Sequence, residues 1–118
     1  MGNNLDVLIN KIGFEIVEKI KTKGKDETKY KNEIDKSLGV LANDGVYAYF
    51  VYVKSKKTED VFLDKLKPIT KFIDGEEKEL NQKYFENLSE DLNNLLFFRE
   101  ILEKILIYAR YHAKAMGD

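Results

Sequence analysis

The chain contains no cysteine and no tryptophan, a single histidine (His112) and a single proline (Pro68) in 118 residues. Without thiols there is no disulfide framework, no thiolate zinc or iron–sulfur site and no cysteine nucleophile. One histidine excludes a multi-histidine metal centre. One proline and seven glycines argue against a turn-rich all-β fold. Long apolar runs are missing as well. The longest, Val46 to Val53, falls far short of the roughly 20 residues a membrane span needs. The opening MGNNLD has no basic region followed by an apolar stretch. Gly2 stands where a myristoyl chain would attach, but Asp6 occupies the place which that motif gives to Ser or Thr. An excess of either charge is absent too: Lys+Arg 20 against Asp+Glu 21 leaves a net charge of −1. A strongly basic nucleic-acid binder is therefore not visible in the total, though it can still be present as a local patch. The expectation is a cytoplasmic protein with no membrane contact, no cofactor and no metal.

Hydrophobic residues make up 43% of the chain and charged residues 35%. That is a globular composition of one-domain length, so residues 1–118 are read as a single helical domain. Leu5, Leu8, Ile9, Ile12, Ile16, Val17 and Ile20 form one stripe of an amphipathic helix from about Leu5 to Thr22. Asn4 is its expected N-cap, Gly24 its left-handed terminator, and Gly13 a mark of close helix packing. A second helix is expected from Asp26 to Ala42, ended by Asn43, Asp44 and Gly45. The next stretch, VYAYFVYVKSK, is rich in β-branched and aromatic residues that favour a strand. Nothing else in the chain reads as a partner strand, so it is read as a buried helix.

Thr58 caps a following segment that Pro68 should kink or split. Glu76 to Leu88 is expected as a short acidic helix. Ser89 is expected to cap a long C-terminal helix reaching about Met116, with Leu92, Leu95, Leu96, Ile101, Leu102, Ile105, Leu106 and Tyr108 facing the core. The predicted fold is all-α, a compact bundle of five or six helices with a long C-terminal helix.

No catalytic constellation stands out: there is no Ser–His–Asp spacing, phosphate loop, H-E-x-x-H or EF-hand. His112 is open to reading as a general base or phosphate contact, or as a helix histidine near a favourable dipole. Tyr47, Tyr49, Phe50 and Tyr52 are open to reading as a stacking platform for bases or as core. Cations cluster in three places: Lys19, Lys21, Lys23, Lys25, Lys29 and Lys31; Lys54, Lys56 and Lys57; and Arg110 with Lys114. A phosphate backbone needs little more than cations on one face. Acids concentrate between Asp74 and Asp91.

Asn43 to Lys56, NDGVYAYFVYVKSK, resembles a signature of the small subunit of type III-B CRISPR effector complexes, the Cmr small-subunit family. The signature reads approximately n-G-L-x-x-x-L-x-F-x-x-S-K. Gly45 and Val46 fall on its Gly-Leu, Phe50 and Tyr52 on its leucine and phenylalanine, Ser55 and Lys56 on its closing Ser-Lys. Tyr30 and Lys31 resemble a family tyrosine in the preceding helix. YARYHAKA, Tyr108 to Ala115, is similar to the family's W-L-K-R-F-A-x-A, with Tyr111 at its second basic position. The resemblance implies an all-α, non-enzymatic subunit that stacks in a crRNA-guided antiviral complex. It implies contact with other subunits and with the backbone of guide and target RNA. On the residues here that role falls to Lys54, Lys56, Lys57, Arg110 and Lys114, with Lys21, Lys23 and Lys25 behind them. A helical adaptor that binds another protein, through Phe97–Phe98 and the Tyr-rich helix, is the second reading.

Overall fold

Apolar residues recurring every three to four positions can be buried only if the chain coils as a helix, and most of this chain does. The computed structural model describes residues 3–117; Gly2 lies outside them. Among the described residues six helices of two or more turns and one single turn, α4, follow one another: α1 Asn3–Lys21, α2 Glu27–Asp44, α3 Val46–Lys56, α4 Glu59–Phe62, α5 Lys67–Asp74, α6 Gln82–Ser89 and α7 Leu92–Ala115. Single 3-10 turns occupy Gly24–Asp26 and Asp64–Leu66, and no strand occurs among the described residues. The radius of gyration is 13.6 Å, close to the roughly 13.5 Å of a compact chain this long. No helix of the described residues is long and apolar enough to cross a membrane.

The segment with strand propensity is helical. Gly45 adopts φ +96°, which stops α2 and lets α3 start at the next residue. Val46, Tyr49, Phe50 and Val53 are all buried, and their spacing is a helical stripe. Helix propensity disfavours such residues by at most about 0.7 kcal/mol each. Burial of a large apolar side chain contributes roughly 1.5–3 kcal/mol, so packing decides.

Pro68 splits its segment as expected. It stands in the first turn of α5, where a missing N–H costs nothing. Five expectations need correction. Asn4 lies inside α1 rather than capping it. Thr58 precedes α4, but its hydroxyl contacts the Val53 carbonyl at 3.4 Å instead of capping. Residues 76–81 are not helical: Gly75, at φ +83°, ends α5, and the Lys78 amide donates to the buried Thr70 hydroxyl (2.8 Å). Ser89 ends α6, its hydroxyl donating to the Phe85 carbonyl, while Asp91 caps α7 by accepting from the Asn94 amide. On α7, Ile101, Leu102, Ile105 and Leu106 are core as expected, whereas Leu92, Leu96 and Tyr108 are exposed.

Helices α1 and α7 run antiparallel, with Asn10 beside His112 and Gly13 beside Ile105, Tyr108 and Ala109. A Cβ on Gly13 would sit 2.9 Å from the Tyr108 Cβ and 3.1 Å from both the Ala109 nitrogen and the Ile105 oxygen. Gly13→Ala gains about 1 kcal/mol of helix propensity, but forcing two backbones apart costs about 1–3 kcal/mol. Gly39, inside α2, has no neighbour within 4 Å of a built Cβ. The expected urea midpoints therefore move in opposite directions: down for Gly13→Ala, up for Gly39→Ala. A rise for Gly13→Ala would refute the close approach.

Three tyrosines carry buried polar links. Tyr49 donates to the Phe62 carbonyl (2.6 Å), Tyr52 to the buried Glu33 carboxylate (2.6 Å) and Tyr84 to the Asp74 carboxylate (2.9 Å). Burial pushes the Tyr49 hydroxyl above its ordinary range. Burial, then the bond to Glu33 and its charge, push Tyr52 up to about 12. Burial and Asp74 raise Tyr84. Unfolded tyrosines ionise near pH 10 while the folded ones keep their protons, so this stability is complete below about pH 10 and is lost as pH climbs through the folded values. The denaturation midpoint should fall between about pH 10 and pH 12, and Tyr52→Phe should make that fall shallower. An identical slope in the variant would show that Tyr52 ionises freely in the folded chain.

Candidate nucleic-acid interface

The aromatic residues of α3 are structural. Tyr49 and Phe50 are buried, Phe50 stacks on Phe85 (centroids 4.6 Å), and Tyr47 and Tyr52 are half-buried. They offer no open face for a base. His112 is bound within the fold: its Nε2 lies 2.8 Å from Asn10 Oδ1 and its ring meets Phe14 edge-on at 5.4 Å. Among the described residues no three His, Cys, Asp or Glu side chains converge to hold a metal ion.

The cations are arranged more informatively. Helix α3 ends with Lys54 and Lys56 in its last turn, both exposed, where positive charge suits the helix dipole. Their ammonium groups sit 5.5 Å over the Phe50 ring and 5.6 Å over the Tyr52 ring. Lys57 follows at φ +58°, the one non-glycine residue with positive φ among those described. Glycine is the usual occupant of such a helix terminus, and a lysine there is strained by roughly 1–2 kcal/mol. Strain of this kind recurs where a side chain has a task.

Contacts join the first and third of the sequence clusters, and the end of α3 approaches them along the chain through Asp60. Lys23 pairs with Asp60 at 2.5 Å, three residues beyond Lys57, and lies 4.9 Å over Tyr30. The bond to Asp60 is the main reason its ammonium is held protonated above the ordinary lysine range. Lys21 and Lys31 share the Glu27 carboxylate at 3.8 and 3.3 Å. Lys31 in turn lines a shallow groove between α2 and α7 with Asp35, Arg110 and Lys114. Arg110 reaches Asp35 at 3.3 Å. The band thus runs from the α1–α2 turn to the last turns of α7, and the end of α3 lies three residues along the chain from its Asp60 contact.

Carboxylates interrupt it. Asp60, Glu27 and Asp35 take up part of the charge of Lys23, Lys21 and Arg110. Lys25, Lys54, Lys56, Lys57 and Lys114 have no carboxylate within ion-pair distance among the described residues. Of the eight residues expected to contact RNA, these five are the most available to phosphate. Lys21 and Arg110 are exposed enough that their bridges are weak, so they can exchange partners, whereas Lys23 is part-buried on Asp60.

Sequence reading missed two exposed aromatics. Tyr108 was expected in the core, and Tyr111 only as an interruption of a basic motif; both rings are exposed beside Arg110 and Lys114. The Phe97–Phe98 pair does not form a joint patch. Phe98 is fully buried, and only Phe97 reaches the surface. A scan against protein-family models, a search of curated proteins and a search of solved structures each find no match to this chain.

Proposed function

We propose that this chain is a cytoplasmic, non-catalytic subunit of a type III-B, Cmr-type CRISPR RNA-guided effector complex, contacting the backbone of guide and target RNA in antiviral defence. The observation that carries the reading is the band of lysines left without carboxylates at the end of α3, inside the segment whose sequence resembles the family signature. Cations on one surface supply salt-dependent, sequence-independent affinity, and base pairing supplies specificity. The chain also carries an acidic stretch, Asp74 to Asp91, of the opposite sign to the band. That pairing of surfaces suits head-to-tail stacking in an assembly with other subunits.

Affinity purification from the native host, followed by sequencing of bound RNA, tests this. The expected result is a large assembly containing short guide RNAs of uniform origin. Recovery of one protein partner and no RNA would establish the adaptor reading instead. The exposed Phe97, with Leu92 and Leu96 in the first two turns of α7, is the surface an adaptor would use.

A further inference from the structure

The α1–α7 seam presents aromatic rings where a helix pair of this kind would normally show polar residues. Gly13 lets the two backbones approach, so the contact is filled by backbone and Cβ atoms. The Tyr108 and Tyr111 rings lie outside this contact, 42% and 63% exposed. Their spacing of three places them on neighbouring turns of one face. Among the described residues neither hydroxyl has a hydrogen-bond partner. Phe14, 37% exposed and held against His112, flanks them from α1.

The charge around these rings has one sign on α7. Between Glu103 and Asp118 the sequence holds Lys104, Arg110 and Lys114 and no acid. A protein-docking patch is depleted of charge at its centre. Here Lys114 lies one turn on from Tyr111 on the same face, and with Arg110, which pairs with Asp35 of α2, it forms the end of the lysine band. Rings for bases beside cations for phosphates is the composition of a single-strand binding surface.

We infer that Tyr108 and Tyr111 form a stacking platform for unpaired RNA bases, with Arg110 and Lys114 holding the adjoining phosphates. This rests on the RNA-binding reading above and adds to it a preference for single strands over duplex. Stacking is indifferent to salt, whereas phosphate contact is not. The two contributions are therefore separable in one titration.

The test is fluorescence anisotropy with a single-stranded oligoadenylate and with an RNA duplex of equal length, at several salt concentrations. Tyr108→Ala/Tyr111→Ala should weaken single-strand binding about 5-fold or more per ring. Duplex affinity and the salt slope should not change. Tyr108→Phe/Tyr111→Phe, which keeps the rings, should bind as the parent does. Tyr111→Ala alone, at the more exposed position, guards against a folding defect and should show its own share of the loss. Arg110→Gln/Lys114→Gln should instead flatten the salt slope by about 1.4 for single strands. Unchanged single-strand affinity in the alanine pair, or an equal loss on duplex, would overturn the platform. If that happens while neutralising Lys54, Lys56 and Lys57 still weakens binding, the platform alone falls. If the parent chain binds no RNA, the functional reading falls with it.

Discussion

Replacing Lys54, Lys56 and Lys57 together by glutamine is expected to lower single-stranded RNA affinity about 10- to 100-fold at about 0.1 M salt, for every sequence tested. Each phosphate contact on a single strand contributes about 0.7 to the slope of log affinity against log salt, so the slope should flatten by about 2. The fold should survive. All three side chains are exposed and unpaired with carboxylates, and the rings beneath Lys54 and Lys56 are held by the core. Lys57 supplies a sharper form of the same test. Lys57→Gly relieves a left-handed residue at φ +58°, which should raise stability by about 0.5–1 kcal/mol after the entropic cost of glycine. The same variant should bind RNA more weakly. A chain that gains stability while losing affinity shows that the strained lysine is kept for its charge. Unchanged affinity in the triple variant would remove the end of α3 from the interface.

Phe98→Ala is expected to cost about 3–5 kcal/mol. Phe98 is fully buried, with Phe85 edge-on at 5.6 Å and Tyr84 tilted at 6.2 Å. Phe85 in turn stacks on Phe50. These rings join α3, α6 and α7, so the cavity would open where three helices meet and none can close it alone. Domains of this size are stable by only about 5–15 kcal/mol, and the loss should lower Tm by roughly 10–20 °C. Phe97→Ala, its exposed neighbour, should change stability by no more than about 1 kcal/mol. Similar losses at the two positions would contradict the packing of α6 against α7.

Much of the fold is legible in the residues because the apolar stripe of α1, the glycines at the ends of α1, α2 and α5, and Pro68 each have one good structural solution. The α3 segment is harder. Its buried set, Val46, Tyr49, Phe50 and Val53, keeps helical spacing, but Tyr47, Val51 and Tyr52 between them blur the pattern. Only the lack of a partner strand, and the family resemblance, favoured the helix. Caps were misplaced where two competent residues stand close together: Ser89 and Asp91 are both good caps, and Asp91 holds the extended backbone a cap requires. The exposed positions of α7 were invisible for a different reason. A 24-residue helix that touches α1, α2, α5 and α6 along its length changes its buried face as it goes, so no single stripe describes it. The candidate interface was legible as a list of cations. Which of them meet carboxylates depends on Asp60, Glu27 and Asp35, and those pairings exist only once the helices pack.

The central claim is that this surface binds RNA through its unpaired lysines. Anisotropy of a labelled single-stranded RNA of about 40 nucleotides, several times the footprint of one small domain, tests it across a salt series. Five available cations predict weak, sequence-indifferent binding with a slope of log affinity against log salt of about −3 to −4. Absence of binding at low salt, or affinity that does not respond to salt, would contradict it.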